Sequence, residues 1–246
     1  MKNYIYDGSF EGLLTAIYEA YYRREVPEHI LPDSHVQQSL LCENVRIETE
    51  AEKAEKVYKG IRQKISPAAL RHVFYVFLSE LEGIGTYIYR YLRFGWQVGK
   101  DIDRYLSDDR VFPIHEISRK VGWENHRMLG LIRFKQLREN VYYASFEPDY
   151  NITGLVAPHF ARRLADQHWV IHDLRRNIAA VYNQNQWVLT DMRLQSPLDM
   201  SDRELNFQKL WKQYFNTIAI ESRKNPRLQK QYMPMRYWRH LVEKQL

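Results

Sequence analysis

Two short clusters in the middle of the chain carry the residue types that acid–base chemistry and anion binding require. The first is His159, Phe160, Arg162 and Arg163, and the second is His172, Asp173, Arg175 and Arg176. Histidine titrates near neutrality, so His159 or His172 could serve as a general base, with Asp173 orienting it or ligating a metal and the arginines clamping a phosphate. The plainer arrangement pairs Asp173 with a nearby arginine and leaves both histidines as half-buried packing groups. Neither cluster has a nucleophile motif or metal-ligand spacing. A catalytic reading therefore requires His159, His172 and Asp173 to converge in one cleft.

The last fifth of the chain, 201–246, offers different chemistry. Phe207, Leu210, Trp211, Tyr214, Phe215 and Ile218 recur at intervals of three and four, one face of a helix that Ser201 and Glu204 begin with a capping box. Aromatic stripes at this spacing are more often core than binding surface, so the stripe is expected to pack inward. The functional signal is then the basic surplus around it. Beyond Leu205, Lys209, Lys212, Arg223, Lys224, Arg227, Lys230, Arg236 and Arg239 face only Glu221 and Glu243. Dense cations draw phosphate backbones by counterion release, and aromatic rings add stacking on bases. The expected nucleic-acid-binding set is Arg163, Arg176, Arg223, Lys224, Arg227, Arg236 and Arg239, with Tyr237 and Trp238 as a stacking surface or partner anchor.

Other residues carry weaker signals. His72 lies on an apolar helical face and reads as a core histidine. Asp101, Asp103, Asp108 and Asp109 lack the spacing of a calcium loop and read as caps or solvated charge. Gly83, Gly85, Gly95 and Gly99 match neither a Walker loop nor a dinucleotide fingerprint. Asn183 to Gln186 is turn chemistry, and Cys42 has no histidine near it in sequence to activate it. No metal and no cofactor is expected.

The elements that must position these groups follow from periodicity. A strand over Asn3 to Tyr6, a turn at Asp7 and Gly8, and a helix capped by Ser9 open the chain. Helical patterns follow at Glu50 to Ile65, Ala68 to Leu81, Thr86 to Phe94 and Asp108 to Trp123, with Gly83 and Gly85 breaking the middle pair apart. After Met128 the pattern changes: Leu131 to Leu137 and Val141 to Phe146 alternate as a hairpin, Asn151 to Ala165 is helical around Pro158, and three short strands follow at Trp169 to Leu174, Ile178 to Tyr182 and Gln186 to Leu189. The expected fold is α+β: a mostly helical part over 1–127, then 128–246 with a largely antiparallel ββαβββ sheet and C-terminal helices, packed as one unit.

Composition bounds the setting. The chain has 246 residues, a formal charge of +6 and one cysteine, and a pI near 9.2, which favours an anionic partner and excludes an internal disulfide or a four-cysteine metal centre. No signal-peptide core or membrane-length apolar run is visible, so a cytoplasmic protein is expected.

Residues spread over most of the chain carry a family resemblance. They are Tyr6-Asp7-Gly8-Ser9-Phe10 with Leu13 and Leu14, Arg133-Phe134, Tyr142-Tyr143-Ala144, Glu147-Pro148-Asp149, His159-Phe160-Ala161-x-Arg163, Trp169-x-Ile171-His172-Asp173 with Arg176, Trp211-x-x-Tyr214, Asn225-Pro226-Arg227-Leu228 and Met233-Pro234-x-x-Tyr237-Trp238. Together they resemble a bacterial family described as DNA metabolism proteins, a domain of unknown function that is also found fused to uracil-DNA glycosylase domains. The resemblance implies a role in DNA repair or modification beside a radical-SAM companion, with any iron–sulfur chemistry in that companion. It supplies no catalytic residues and, without a fused glycosylase, no base excision. The expected function is a nucleic-acid-binding accessory factor; the alternatives are a DNA-processing hydrolase built on His159, His172 and Asp173, and a module that docks the companion without touching DNA.

Overall fold

In a computed structural model, residues 2–35, 42–194, 198–218, 220–223 and 225–244 are described. The chain divides into two compact units, 1–122 and 123–246. The fold is mixed α and β, with a three-stranded parallel sheet in the first unit and a mixed five-stranded sheet in the second.

The first unit opens as its residues dictate. Strand β1 (Lys2–Tyr6) runs into helix α1 (Phe10–Tyr22), whose cap is Ser9: its side chain accepts from the Gly12 N–H. Strands β2 (His29–Pro32) and β3 (Glu43–Arg46) flank β1, both parallel to it. The parallel sheet was not apparent from the pattern, because β2 and β3 are only four residues long and show no run of alternation. Helix α2 (Ala51–Gly60) continues through a π-helical turn, Ile61–Ile65, to α3 (Pro67–Phe77), again capped by serine, Ser66. Helix α4 (Ile84–Val98) begins earlier than expected, and Gly85 is inside it rather than a breaker. A Cβ at Gly85 would sit 2.4 Å from the Ile30 carbonyl oxygen, so this glycine lets α4 pack directly on β2. The core joins Tyr4, Leu13, Ile17, Ile30, Ile61, Val73, Ile88 and Leu92, all fully buried.

Helix α5 (Phe112–Leu131) extends beyond the expected end at Trp123, and the division between the units falls within it. The extension consumes the start of the expected hairpin. Only Lys135–Gln136 (β4) pairs with β5 (Val141–Phe146). Helix α6 (Thr153–Arg163), which contains Pro158, then crosses over to β6 (His168–Asp173), and β5 and β6 are parallel where an antiparallel sheet was expected. A helix between two strands returns the chain to the starting edge, which makes the pair parallel. Strands β7 (Ile178–Asn183) and β8 (Trp187–Asp191) complete the order β4-β5-β6-β7-β8 with antiparallel pairings, joined by a turn in which the Asn183 side chain accepts from the N–H groups of Asn185 and Gln186. Trp169 and Tyr182 stack on this sheet at 5.1 Å. Helices α7 (Asp202–Thr217) and α8 (Pro226–Tyr232) follow. No helix among the described residues is long and apolar enough to cross a membrane.

A buried carboxylate ties the C-terminal segment down. Glu124 accepts from the backbone N–H groups of Asp149 (2.8 Å) and Tyr150 (2.9 Å) and from the Tyr237 hydroxyl (2.5 Å). Burial, with the carboxylate beside it, pushes the Tyr237 phenol well above its ordinary range, so it stays protonated and donates. Tyr237→Phe removes that donor and leaves Glu124 under-satisfied. The expected cost is about 1–3 kcal/mol, read from urea unfolding midpoints at unchanged m-value.

Candidate functional site

The expected catalytic trio does not assemble. His172 is 1% exposed, and both ring nitrogens are committed: Nε2 lies 3.0 Å from the Met192 carbonyl oxygen and Nδ1 lies 2.8 Å from the Tyr143 hydroxyl. A carbonyl only accepts, so Nε2 carries the proton and Nδ1 accepts from Tyr143. Burial holds this imidazole below its usual range. Asp173, adjacent on β6, points to the opposite face of the strand. It is fully buried, accepts from the backbone N–H groups of Arg175 and Arg176, and forms an ion pair with the Arg176 guanidinium at 3.0 Å. His159 is on α6, edge-on to Phe160, and its buried Nε2 has no hydrogen-bond partner among the described residues. The three side chains thus occupy three environments, two of them fully committed to structure.

The expected phosphate-binding residues separate into two groups. Arg176 also donates to the carbonyl oxygens of Pro148 and Asp149, Arg236 is paired with Asp149, and Arg239 with Glu147. Tyr237 is 2% exposed and presents no face for stacking, while the half-buried Trp238 donates its N–H to the Met233 carbonyl and lies under Lys244. Arg163, Arg223 and Arg227 are exposed. Lys224 lies outside the described residues.

The aromatic stripe on α7 is where the structure departs most from expectation. Phe207, Leu210, Tyr214 and Ile218 are 62%, 63%, 54% and 53% exposed, not core. The helix turns a neighbouring face inward instead. Ser201 caps it by accepting from the Glu204 N–H; Glu204 then accepts from the Gln136 N–H of β4 and from Gln208, and Trp211 donates its N–H to Glu243 at 3.2 Å. Glu204, Gln208, Trp211 and Phe215 follow one another at helical spacing along that face. Polar anchoring therefore sets the rotation of α7 and leaves its apolar residues out.

Between α7, α6, the end of α5 and β5 lies an open cleft of about 680 Å³. Arg203, Phe207 and Trp211 line it from α7, Phe160 and Arg163 from α6, and Arg133, Phe134 and Tyr142 complete the lining. Phe134 sets its edge on Phe160 at 5.1 Å and on Trp169 at 6.2 Å, which fixes its ring. Arg133 is held by Glu243 at 2.9 Å and by the Gly130 carbonyl at 2.7 Å, and its Nε has no partner among the described residues. Burial works to raise the Glu243 carboxyl, but a backbone N–H, Arg133 and Trp211 together hold it below its ordinary range, so it is ionised and pins both cleft residues. Arg163 and Arg203 make no ion pair among the described residues. The cleft thus combines positioned rings with two uncommitted guanidiniums.

The family can be placed on this geometry. A family model described as a domain of unknown function, DUF4130, matches residues 82–243. The chain belongs to the DUF4130 family. The match covers the whole of the 123–246 unit except its last residues, including every wall of the cleft. A comparison with curated proteins finds no match.

Of the DUF4130 cleft, sequence reasoning had singled out Arg163 for phosphate and read the ring of Phe207 as core. It missed Arg133, Phe134, Tyr142 and Arg203 as lining, although Arg133-Phe134 is a cation beside an aromatic ring and could have been marked. Outside that lining, it also missed His240. That ring is half-buried, with Nδ1 3.2 Å from Ser145 Oγ, and burial with Arg239 and Lys135 nearby pushes it down to about 4. The Glu147 carboxylate 3.9 Å away is already taken by Arg239 and does not reverse this. Because the folded value is depressed, the unfolded chain takes up the proton first. Stability from this group is complete above about pH 6.5 and is lost as pH falls towards 4. The loss is on the order of 3 kcal/mol. Urea midpoints at pH 7.5 and 4.5 should differ less in His240→Gln than in the parent.

Proposed function

We propose that this chain binds single-stranded nucleic acid, with an unstacked base seated in the cleft of the 123–246 unit and the adjoining phosphates on Arg163 and Arg203. The observation that carries this reading is the conjunction, in one open cleft, of fixed aromatic rings with guanidiniums that have no acidic partner among the described residues. Rings that line a cleft stack on the face of a base when it is out of a duplex stack, which favours single strands over double. A volume of about 680 Å³ is of the size that takes a nucleotide-sized ligand. The resemblance to DNA metabolism proteins supports DNA as the polymer and an accessory role in repair or modification as the setting. The carboxylate in the lining, Glu204, is spent on Gln136 and Gln208, so the cleft reads as a binding site rather than a catalytic one.

A second reading has its own support. The exposed Leu210 and Tyr214 on α7, with Ile218 at its C-terminal cap, form an apolar strip of the kind that docks a protein, and the radical-SAM companion implied by the resemblance is the partner it would serve. Intrinsic fluorescence separates the two. Titration with an unlabelled oligothymidine should quench Trp211, and Trp211→Phe should remove most of the signal change. Absence of quenching at low salt, with the protein folded, would leave the docking reading as the better one.

A further inference from the structure

We propose that His72, Asp103 and His115 form a binding site for a divalent first-row transition-metal ion. The three residues are far apart in sequence and reach one point from three elements of the first unit: His72 from α3, Asp103 from the 3-10 turn Gly99–Arg104, and His115 from the first turn of α5. One ligand atom from each lies within 4.8 Å of the others. The two imidazole rings are 4.4 Å apart between centroids and tilted by 42°, and His115 Nε2 is 2.9 Å from Asp103 Oδ1.

Bonds of about 2.1 Å to a tetrahedral ion place neighbouring donors about 3.4 Å apart. The His115 and Asp103 atoms already lie near that separation, and small side-chain rotations bring the third donor in. Two imidazoles and one carboxylate are the donors of zinc, iron and their neighbours; magnesium and calcium take oxygen ligands instead. Three protein donors leave at least one position for water, as in sites where the metal meets a substrate.

The surroundings are those of a built site. Ser118 Oγ, 4% exposed by residue, lies 2.9 Å from His72 Nδ1, and the fully buried Tyr91 donates its hydroxyl to Asp103 Oδ1 at 3.0 Å. Outer-shell partners of this kind fix the tautomer and orientation of histidine and carboxylate ligands. The cluster itself is half-buried, open enough for an ion to enter. It lies entirely in the first unit, so it stands or falls independently of the nucleic-acid reading.

The test uses the full chain, stripped with a chelator and titrated with Zn²⁺ by calorimetry and with Co²⁺ by visible absorption. One ion per chain is expected, with cobalt bands of nitrogen and oxygen coordination and a raised thermal midpoint. His115→Ala and Asp103→Asn should each weaken binding more than tenfold, and Tyr91→Phe by roughly 10- to 100-fold. Circular dichroism and cooperative unfolding of the metal-free variants separate lost ligation from lost fold. Should either ligand variant fail to fold, His72→Gln makes the same comparison. No saturable uptake by the parent, or uptake unchanged in the folded ligand variants, overturns the proposal.

Discussion

Phe207→Ala is expected to weaken binding of single-stranded DNA by roughly 5- to 150-fold while leaving the unfolding midpoint almost where it was. The ring is 62% exposed on the α7 wall of the cleft, so its removal takes away stacking surface and little packing. Stacking of a base on an aromatic side chain is worth about 1–3 kcal/mol by alanine substitution, and each 1.4 kcal/mol is tenfold in affinity. A surface change of this kind usually moves stability by less than about 0.5 kcal/mol. Anisotropy with a labelled oligonucleotide and a urea titration on the same preparation measure both quantities. If affinity is unchanged, the ring does not meet a base. If it falls only in step with stability, the effect is structural and the cleft loses its main support.

The second large effect concerns Asp173, which the sequence offered as a catalytic partner and the structure makes a structural anchor. Asp173→Ala is expected to destabilise the protein by about 3–5 kcal/mol, because it breaks a buried ion pair by removing the fully buried carboxylate from the Arg176 guanidinium, whose side chain is only 11% exposed. The carboxylate also accepts the N–H groups of Arg175 and Arg176, which close the turn between β6 and β7. Chemical denaturation against the parent checks the magnitude. A catalytic Asp173 would behave differently: its replacement would abolish an activity while the unfolding midpoint stayed put.

The parts of the fold that local chemistry determines were legible. Ser9, Ser66 and Ser201 each precede a helix, and each accepts the N–H three residues on, so the starts of α1, α3 and α7 could be read from residue types alone. Strands β6 to β8 fell close to where alternation put them. What depends on distant partners was not legible. The direction of β5 against β6 is set by the crossover through α6, and the length of α5 removed half of a hairpin whose pattern looked complete. β2 and β3 are too short to carry a period, and they gain their place only by pairing with β1.

The same division explains the site. The rings of α7 were visible as a stripe, but its orientation was not, because the inward face is chosen by Gln136 of β4 accommodating Glu204 and by Glu243 receiving Trp211. Those partners are 68 and 32 residues away. Arg236 and Arg239 had the right chemistry for phosphate, and nothing local revealed that Asp149 and Glu147 would claim them. His72, Asp103 and His115 are separated by 31 and 12 positions, a spacing no linear motif captures.

The most direct test of the binding account is a salt series of anisotropy titrations with a labelled single strand, comparing the parent with Arg163→Ala/Arg203→Ala. Affinity should fall linearly with salt on logarithmic axes. The double variant should bind more weakly with a slope shallower by about 1.4, because each phosphate left unneutralised on a single strand lowers it by about 0.7. Identical slopes for parent and variant, or binding that does not respond to salt, would contradict it.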